Sequence, residues 1–322
     1  MLTRVLFAVT LMSMLRFDAS ATTGTQHNTT PGVRSNAAAL EISSISQRAE
    51  QGDPQAEYQL GSFYRTGTNV GLDYLQALMW YRRAAEQNYP DAEFALGFMY
   101  EQGEGVKRDY REARECYTAA AHQGHATAEN NLGSLYEHGE GVRKNIRRAA
   151  DWYRKAAQHG EVVAQCNLAS LYFRGKGIPP DYVQAATWFR AAAERGYPPA
   201  QENLASMYYT GTGVKQDFAE AAKWVRSAAA AGYARAELDL GFLYEQGKGV
   251  PLNHIAAYMW YKTAAAGGER RAAAQLKILS SVMTEGQIQQ ATAAAAELKT
   301  STPISSAAKD SSSVGSSWLP PR

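Results

Sequence analysis

The chain repeats a 36-residue pattern six times in succession, without an inserted or deleted residue. Each copy begins at an alanine, and consecutive alanines lie 36 residues apart (92 − 56 = 36): Ala56, Ala92, Ala128, Ala164, Ala200 and Ala236. A fixed period of this length is typical of stacked repeat proteins. We number the positions of each repeat 1 to 36 from this alanine. Residues that recur at one position are expected to build the architecture, and residues that differ between copies are the candidates for function.

The first half of each repeat predicts an amphipathic helix. Leucine occupies position 5 and tyrosine position 9 in all six copies, and position 8 is always apolar. Together with the alanine at position 1, this spacing places the four side chains on one side of an α-helix. Glycines at positions 12 and 14 follow in five copies and predict a left-handed helix end. The first copy has Gly67 and Asn69 there, and asparagine tolerates that conformation best after glycine.

The second half of each repeat predicts another helix. Position 18 always carries an N-cap residue: Asp73, Asp109, Asn145, Asp181, Asp217 and Asn253. Alanines at positions 29 and 30 recur in all six copies and let neighbouring helices approach closely. Each repeat is therefore predicted to be a helical hairpin. Because one hairpin cannot bury its apolar side alone, the hairpins are expected to stack into an α-solenoid.

The pattern A-x-x-x-L-G-x-x-Y-x-x-G-x-G-V, followed by D-x-x-x-A-x-x-W-Y-x-x-A-A-x-x-G, resembles the Sel-one-like repeat (SLR) family, a relative of the tetratricopeptide repeat. The resemblance covers residues 38–295, with local departures at Asn69, Cys116 and Val225. It implies an all-α fold, a right-handed α-solenoid of six helical hairpins with capping helices at both ends. It also implies a protein that binds other proteins, since the family shares no catalytic residue set.

The ends of the chain depart from the repeat. Arg4, the apolar run 5–15 and Ala19-Ser20-Ala21 predict a signal peptide that is cleaved after Ala21, with an uncleaved anchor as the alternative. This predicts a periplasmic or secreted protein with no stable membrane span after cleavage. The predicted organisation is a signal peptide (1–21), a flexible linker (22–36), an N-terminal capping helix (37–55), six repeats (56–91, 92–127, 128–163, 164–199, 200–235 and 236–271), C-terminal capping helices (272–299) and a disordered Ser/Pro-rich tail (300–322).

Charge and cysteine content narrow the function further. The formal net charge of +2 gives no electrostatic footprint for nucleic acid. Cys116 and Cys166 are separated by a whole repeat and are predicted to be free thiols. Four histidines in the second and third repeats raise a metal site as an alternative, but no carboxylate or cysteine stands at a recognised ligand spacing: His122, His125, His138 and His159. No metal and no cofactor are therefore predicted.

A second stripe lies on the first helix of each repeat, opposite the core side, at positions 3, 7 and 10. By resemblance, this stripe lines the concave surface and is expected to be exposed and to bind a protein or peptide partner. The candidate residues are Tyr58, Arg65, Phe94, Phe98, Glu101, Glu137, Phe173, Glu202, Tyr209, Leu238, Phe242 and Glu245. For Phe98 and Phe242, packing against the adjacent repeat is an equal alternative. The mixture predicts a partner with apolar and basic character.

The sequence therefore predicts a monomeric, non-enzymatic protein-interaction scaffold of the bacterial envelope or secreted fraction. Two alternatives remain open. Some cysteine-rich secreted relatives hydrolyse β-lactams, but the chain lacks their cysteine pairs, and its Ser-x-x-Lys match, Ser306 to Lys309, lies in the tail. The exposed aromatic residues are also compatible with a cell-wall glycan binder.

Overall fold

The computed structural model describes residues 31–175 and 177–301, and every regular element among them is a helix. The first helices of the six repeats are α2 (Pro54–Thr66), α4 (Pro90–Gln102), α6 (Ala126–His138), α8 (Val162–Arg174), α10 (Pro198–Thr210) and α12 (Ala234–Gln246). The second helices are α3 (Tyr74–Glu86), α5 (Tyr110–His122), α7 (Ile146–Gln158), α9 (Tyr182–Glu194), α11 (Phe218–Ala230) and α13 (His254–Ala266). The predicted all-α solenoid of six hairpins is confirmed.

Helix capping explains why every repeat helix has the same length of 13 residues. All six residues at position 18 are N-caps of the second helix, and their side-chain oxygens accept backbone N–H groups of its first turn, as predicted. Glycine ends the first helix in the left-handed conformation, as at Gly103 with φ 76°. Asn69 takes the same conformation with φ 63°, which explains how the first repeat manages without the second glycine.

A backbone hydrogen bond closes each interhelical loop. In all six repeats, the N–H of the N-cap residue at position 18 donates to the carbonyl of the tyrosine at position 9, over 2.8–3.1 Å. The bond fixes the loop length, because both ends of the loop are held by backbone atoms. The N-terminus of each second helix consequently sits at the same edge of its hairpin as the loop.

The core of each hairpin centres on position 26. This position holds a side chain that is at most 1% exposed in every repeat: Tyr81, Tyr117, Tyr153, Phe189, Val225 and Tyr261. Where tyrosine occurs, glycine faces it from position 6 of the first helix. A β-carbon at Gly61, Gly97, Gly133 or Gly241 would lie 2.5–2.8 Å from the ring. In repeat four the residues at these two positions are Ala169 and Phe189, and in repeat five they are Ala205 and Val225.

The described residues divide near residue 164 into two compact units. The unit before the division contains α1 to α7, with buried clusters around Leu60, Met99 and Leu132. The unit after it contains α9 to α15, with clusters around Leu240 and Leu279. Within each unit, neighbouring hairpins thus contribute to shared clusters, as expected for stacked repeats.

The ends differ from the prediction in their limits. Helix α1 (Pro31–Glu50) begins six residues earlier than expected, so residues 31–36 are helical and do not belong to a linker. Proline suits the first position of a helix, since its missing N–H would have no partner there. At the other end, α14 (Arg270–Ser280) and α15 (Glu285–Ser301) are separated by a capping box in which Thr284 N–H donates to Gln287 Oε1 over 2.9 Å.

Some predictions fall on residues outside the described ranges. These are the signal peptide (1–21), residues 22–30 of the linker and the tail from residue 302, which includes Ser306 and Lys309. None of the helices described combines the length with the hydropathy that a transmembrane span requires.

Candidate partner-binding face

We call the twelve candidate residues at positions 3, 7 and 10 the first-helix stripe. Four of them are buried and eight are half-buried. The expectation of exposure is therefore wrong for Glu101 (5% exposed), Glu202 (4%), Leu238 (2%) and Phe242 (7%). The partner-binding role of the stripe stays a prediction. The contacts of each member explain why the helical-wheel argument overestimated its exposure.

Glutamate at position 10 accepts a hydrogen bond from the core tyrosine at position 26 of the same repeat. Tyr117 Oη donates to Glu101 Oε2 over 2.5 Å, and Tyr153 Oη donates to Glu137 Oε2 over 2.9 Å. Tyr261 makes the same bond to Glu245 over 2.5 Å. Burial raises the pKa of Glu101, whereas the Tyr117 hydroxyl lowers it. These three glutamates satisfy buried hydroxyls. The sequence signalled this role, because tyrosine at position 26, glycine at position 6 and glutamate at position 10 occur together in these repeats.

The first repeat provides a different hydrogen-bond partner for the core tyrosine hydroxyl, since Arg65 and not glutamate occupies position 10. Here the Tyr81 hydroxyl lies 3.1 Å from Ser62 Oγ. Arg65 instead forms an ion pair with Glu104 over 3.4 Å, and its guanidinium lies 5.2 Å from the centroid of the Phe98 ring. Phe98 thereby stays half-buried, with one face covered by a cation from the preceding repeat.

Aromatic residues at position 3 stack on their own chain. Tyr58 lies between Tyr81 and Tyr89, with ring centroids 5.7 Å and 5.6 Å away, and burial raises the pKa of Tyr58 to about 12. Phe94 stacks on the ring of His125 at 4.6 Å. Both rings keep part of their surface accessible, and both have fixed orientations. Fixed, half-exposed aromatic side chains are suitable anchors for a partner because they lose little entropy on binding.

Position 10 of repeats four and five carries aromatic residues. Phe173 contacts Tyr182 edge to face at 5.5 Å, and Tyr209 contacts Phe218 in the same way at 5.1 Å. The Lys248 ammonium donates to Tyr209 Oη over 2.6 Å and lies 4.7 Å from the centroid of its ring. Tyr209 thus has structural contacts in addition to its accessible surface.

Leu238 and Phe242 are covered by the C-terminal helices. Both belong to a buried cluster with Leu279 and Met283, and Ile288 of α15 packs against that cluster. Of the two alternatives for Phe242, packing is therefore correct and exposure is wrong, but the packing is against the C-terminal helices and not against an adjacent repeat. The helices that end the solenoid occupy the part of the stripe that the sixth repeat would otherwise expose.

A row of buried acids at position 2 was not identified from the sequence. Its members are Glu57, Glu93, Glu129 and Glu237, and repeats four and five carry Gln165 and Gln201 instead. The residue at position 32, which is the C-cap just after the second helix, supplies the partner. Gln87 Nε2 donates to Glu57 Oε2 over 2.8 Å, and Gln123 repeats this contact to Glu93. His159 Nδ1 lies 2.8 Å from Glu129 Oε2.

The sixth repeat keeps the acid of this row but lacks its side-chain partner. The residue at position 32 is Gly267, which has no side chain to offer to Glu237. Burial raises the pKa of Glu237 to about 7. The sequence does contain a signal for this arrangement, because an acid or amide recurs at position 2 in all six repeats. When each helix is considered by itself, nothing indicates that these side chains are buried.

Two further buried acids, Glu202 and Asp239, lie at the junction of repeats five and six. Arg235 Nε pairs with Glu202 Oε1 over 2.7 Å, and burial raises the pKa of Glu202 to about 7. Neither carboxylate oxygen of Asp239 has a hydrogen-bond partner among the described residues. Burial, with Glu202 nearby, raises the pKa of Asp239 well above its usual range. The environment of Asp239 thus disfavours its ionised form.

The histidines and cysteines have structural contacts. His125 Nδ1 accepts the Ala128 N–H and caps α6, and His138 Nδ1 contacts the Ser134 carbonyl. Within the described residues, no group of three or more His, Cys, Asp or Glu side chains is arranged to hold a metal ion. Both cysteines are free thiols, as predicted, and burial raises the pKa of each thiol to about 12.

The Sel1 repeat family matches six consecutive segments: 54–89, 90–125, 126–161, 162–197, 198–233 and 234–269. A search of the curated proteins finds no match. Among solved structures, the chain is similar to c5321, a protective antigen of uropathogenic Escherichia coli with an SLR fold, at 34% identity and a TM-score of 0.73. The alignment covers 80% of this chain and 56% of the E. coli chain, so this chain spans little more than half of that relative.

A second solved structure is similar over more of its own length. It is a Sel1 repeat protein from Oxalobacter formigenes, with 34% identity and a TM-score of 0.60, and the alignment covers 66% of this chain and 86% of that one. The family segments have the 36-residue period found in the sequence and begin two residues before the alanine at position 1. With six matched repeats and two structural relatives of the same fold, the chain belongs to the Sel1 repeat family.

Proposed function

We propose that the protein is a non-enzymatic scaffold that binds a segment of another protein on the half-buried members of the first-helix stripe. Sel1 repeats generally mediate protein–protein interactions, and this supports the class of function. The observation that carries the proposal is the variation of the stripe. Position 10 changes from Arg65 through glutamate to Phe173 and Tyr209, whereas the leucine at position 5 and the tyrosine at position 9 are the same in all six repeats. A surface that varies over a constant frame is how a repeat protein acquires selectivity.

Repeats one to three offer the chemistry of a specific partner. Tyr58, Phe94 and Phe98 are half-buried and fixed by contacts with their own chain. The half-buried Glu137 lies on the same stripe, at position 10 of the third repeat. Aromatic anchors beside a carboxylate are complementary to a segment that alternates apolar and basic side chains. We therefore infer that the partner supplies such a segment.

The test uses substitutions that already occur at the same positions in sister repeats. Phe98→Ser copies Ser134, and Glu137→Arg copies Arg65, so the double variant is expected to fold. The full chain would be used to capture partners from envelope extract and culture medium, with chemical crosslinking. We expect a captured protein to be reduced at least about tenfold by the double variant, since losing a single anchor residue at an interface commonly costs more than 1 kcal/mol.

The matched control changes two exposed residues on the outer side of α9. Val183→Arg copies Arg111, and Thr187→Glu copies Glu115. The control is expected to retain the captured protein. Equal capture by the wild type, the double variant and the control would show that the stripe does not bind the partner. Loss in both variants, with unchanged melting temperatures, would place the binding surface elsewhere.

We further propose that the protein acts in the periplasm or outside the cell. The support is the basic start, apolar run and small-residue site in residues 1–21. The N-terminal sequence of the protein recovered from periplasm and medium tests this, and Thr22 is the expected first residue. Recovery of the chain beginning at Met1 in the cytosolic fraction would refute it.

The absence of catalysis is also part of the proposal. We expect no turnover of the β-lactam nitrocefin by purified protein. A serine nucleophile requires a positioned base, and the Ser-x-x-Lys match from Ser306 to Lys309 stands in a Ser-rich stretch outside the repeats. Measurable turnover that a Ser306→Ala substitution abolishes would favour the enzymatic alternative.

A further inference from the structure

One edge of repeats two and three carries a concentration of exposed basic side chains. Positions 16, 17 and 20, at the end of the loop and in the first turn of the second helix, are basic throughout repeats two and three. These residues are Lys107, Arg108, Arg111, Arg143, Lys144 and Arg147. The remaining four repeats have mainly apolar residues or proline at these positions. The basic residues therefore mark one place in the molecule and are not a property of the repeat.

These six side chains are exposed, and none of them forms an ion pair with another residue of the described ranges. The acids on the same edge are fewer. Asp109 is engaged as the N-cap of α5, whereas Glu112 is exposed. At position 24, Glu115 pairs with Arg114 and Asp151 pairs with Arg154. In the loops, Glu104 pairs with Arg65, and Glu140 is half-buried. The N-termini of α5 and α7 add partial positive charge to the same edge.

The loops and the helix N-termini form one continuous ridge. A β-carbon at Gly105 would lie 2.9 Å from the Tyr74 carbonyl oxygen, so the loop of repeat two rests on the start of α3. Gly141 is pressed in the same way against the backbone of Tyr110 at the start of α5. Arg114 Nη1 also donates to the Gly141 carbonyl over 3.4 Å. The basic residues of neighbouring repeats are consequently brought side by side.

The first repeat extends this ridge with apolar side chains. Leu72 and Leu75 occupy positions 17 and 20, and Met79 lies one turn further along α3. They are 58%, 66% and 41% exposed. We call these three residues, together with the six basic residues, the loop edge. Large aliphatic side chains this exposed are unusual in a group, and in repeat two their places are taken by Arg108, Arg111 and Glu115.

We propose that the loop edge docks on the surface of an anionic phospholipid bilayer. Basic side chains are attracted to the negative headgroups, and neighbouring aliphatic side chains gain free energy by entering the interface. A nucleic acid would engage the basic residues but would leave Leu72, Leu75 and Met79 in water. The combination of charge and apolar surface therefore favours a bilayer. This docking does not depend on the first-helix stripe.

The test compares cosedimentation of the full chain with vesicles that contain phosphatidylglycerol and with vesicles of phosphatidylcholine alone. We expect binding to the anionic vesicles only, and we expect added salt to weaken it. Arg143→Glu/Arg147→Glu should reduce the partition coefficient by about tenfold or more, because each basic residue near the surface contributes about 1 kcal/mol, a factor of about five. Every variant carries the same N-terminal segment, so the contribution of that segment cancels when variants are compared with one another.

Two matched controls are available in the other unit. Lys215→Glu/Arg226→Glu makes the same charge change at exposed positions, and Lys215 shares position 16 with Arg143. Leu252→Gln is the control for Leu72→Gln, since both leucines occupy position 17. The controls should leave binding unchanged, whereas Leu72→Gln should weaken it several-fold. Equal binding to both kinds of vesicle, or equal losses in test and control variants, would overturn the proposal. Binding to a soluble acidic polypeptide without binding to vesicles would also overturn it.

Discussion

Repeats two, three and six differ from repeats four and five in how they fill the same buried place. The first group sets a tyrosine over a glycine and ties the tyrosine hydroxyl to a glutamate at position 10. The second group uses Ala169 with Phe189, or Ala205 with Val225, and has an aromatic residue at position 10. Three positions thus change together within one chain. A buried hydroxyl needs an acceptor, and where the hydroxyl is absent the acceptor position is released for other contacts.

The largest expected effect comes from placing alanine at position 6 of a repeat that has tyrosine at position 26. In Gly133→Ala, the new β-carbon would lie 2.5 Å from the Tyr153 ring. We expect a loss of about 3 kcal/mol in the free energy of unfolding, the upper part of the range for overpacked cores. Urea unfolding followed by circular dichroism measures it.

The control for this prediction imports both members of the apolar pair. Gly133→Ala/Tyr153→Val reproduces repeat five and should recover part of the lost stability. A double variant that is less stable than Gly133→Ala alone would contradict the idea that positions 6 and 26 are exchanged as a pair.

Removing a hydroxyl from the first group should have the next largest effect. Tyr117→Phe leaves the buried Glu101 without its donor, which we expect to cost about 2 kcal/mol at pH 8. Burial already raises the pKa of Glu101 above its value in the unfolded chain, and the substitution raises it further. The cost should therefore be small near pH 4.5 and grow as the pH rises through the folded pKa. A penalty that does not change between pH 4.5 and pH 8 would disprove this reading.

A change in the opposite direction is expected at position 2. Glu237→Gln gives repeat six the amide that repeats four and five carry in Gln165 and Gln201. The pKa of Glu237 is about 7 in the folded protein, so ionisation opposes folding as the pH rises from about 4.5 towards 8. We expect the substitution to stabilise the protein by about 1–2 kcal/mol at pH 8, with little effect near pH 4.5. Thermal melting at the two pH values measures the difference, and destabilisation at pH 8 would refute it.

The smallest effect is expected at Tyr153→Phe. Its acceptor Glu137 is half-buried and can be hydrated when the hydroxyl is removed. The loss should be about 0.5–1 kcal/mol, the ordinary net value of one hydrogen bond. Comparing this variant with Tyr117→Phe isolates the contribution of burial. Equal losses in the two variants would mean that the exposure of the glutamate is irrelevant.

Much of the fold could be predicted from the sequence because the six repeats can be compared with one another, and a residue that recurs at one position indicates a structural role. The hairpins, the N-caps at position 18 and the left-handed Asn69 all follow from residues at fixed positions. The burial of Glu101 and of the position 2 acids could not be predicted in the same way. A helical wheel considers one helix, whereas stacking encloses each first helix between its own partner and the next repeat.

The limits of the candidate site have a similar origin. Leu238 and Phe242 occupy stripe positions, but the C-terminal helices cover them. Nothing in the internal repeat specifies where the terminal helices pack, since they lack the pattern of leucine at position 5 and tyrosine at position 9. The side chains that interact within one repeat are thus easier to anticipate than those that meet an irregular end.

Several glycine loops rest on the preceding hairpin, and this makes the two ends of the chain inequivalent. Gly105 rests on Tyr74, Gly141 on Tyr110 and Gly249 on Phe218, so each of these three loops is seated on the repeat before it. Shortening the chain from its C-terminal end therefore leaves seated those of the three loops that remain. Shortening it from the other end unseats the first loop that is kept, and the two kinds of truncation are not equivalent.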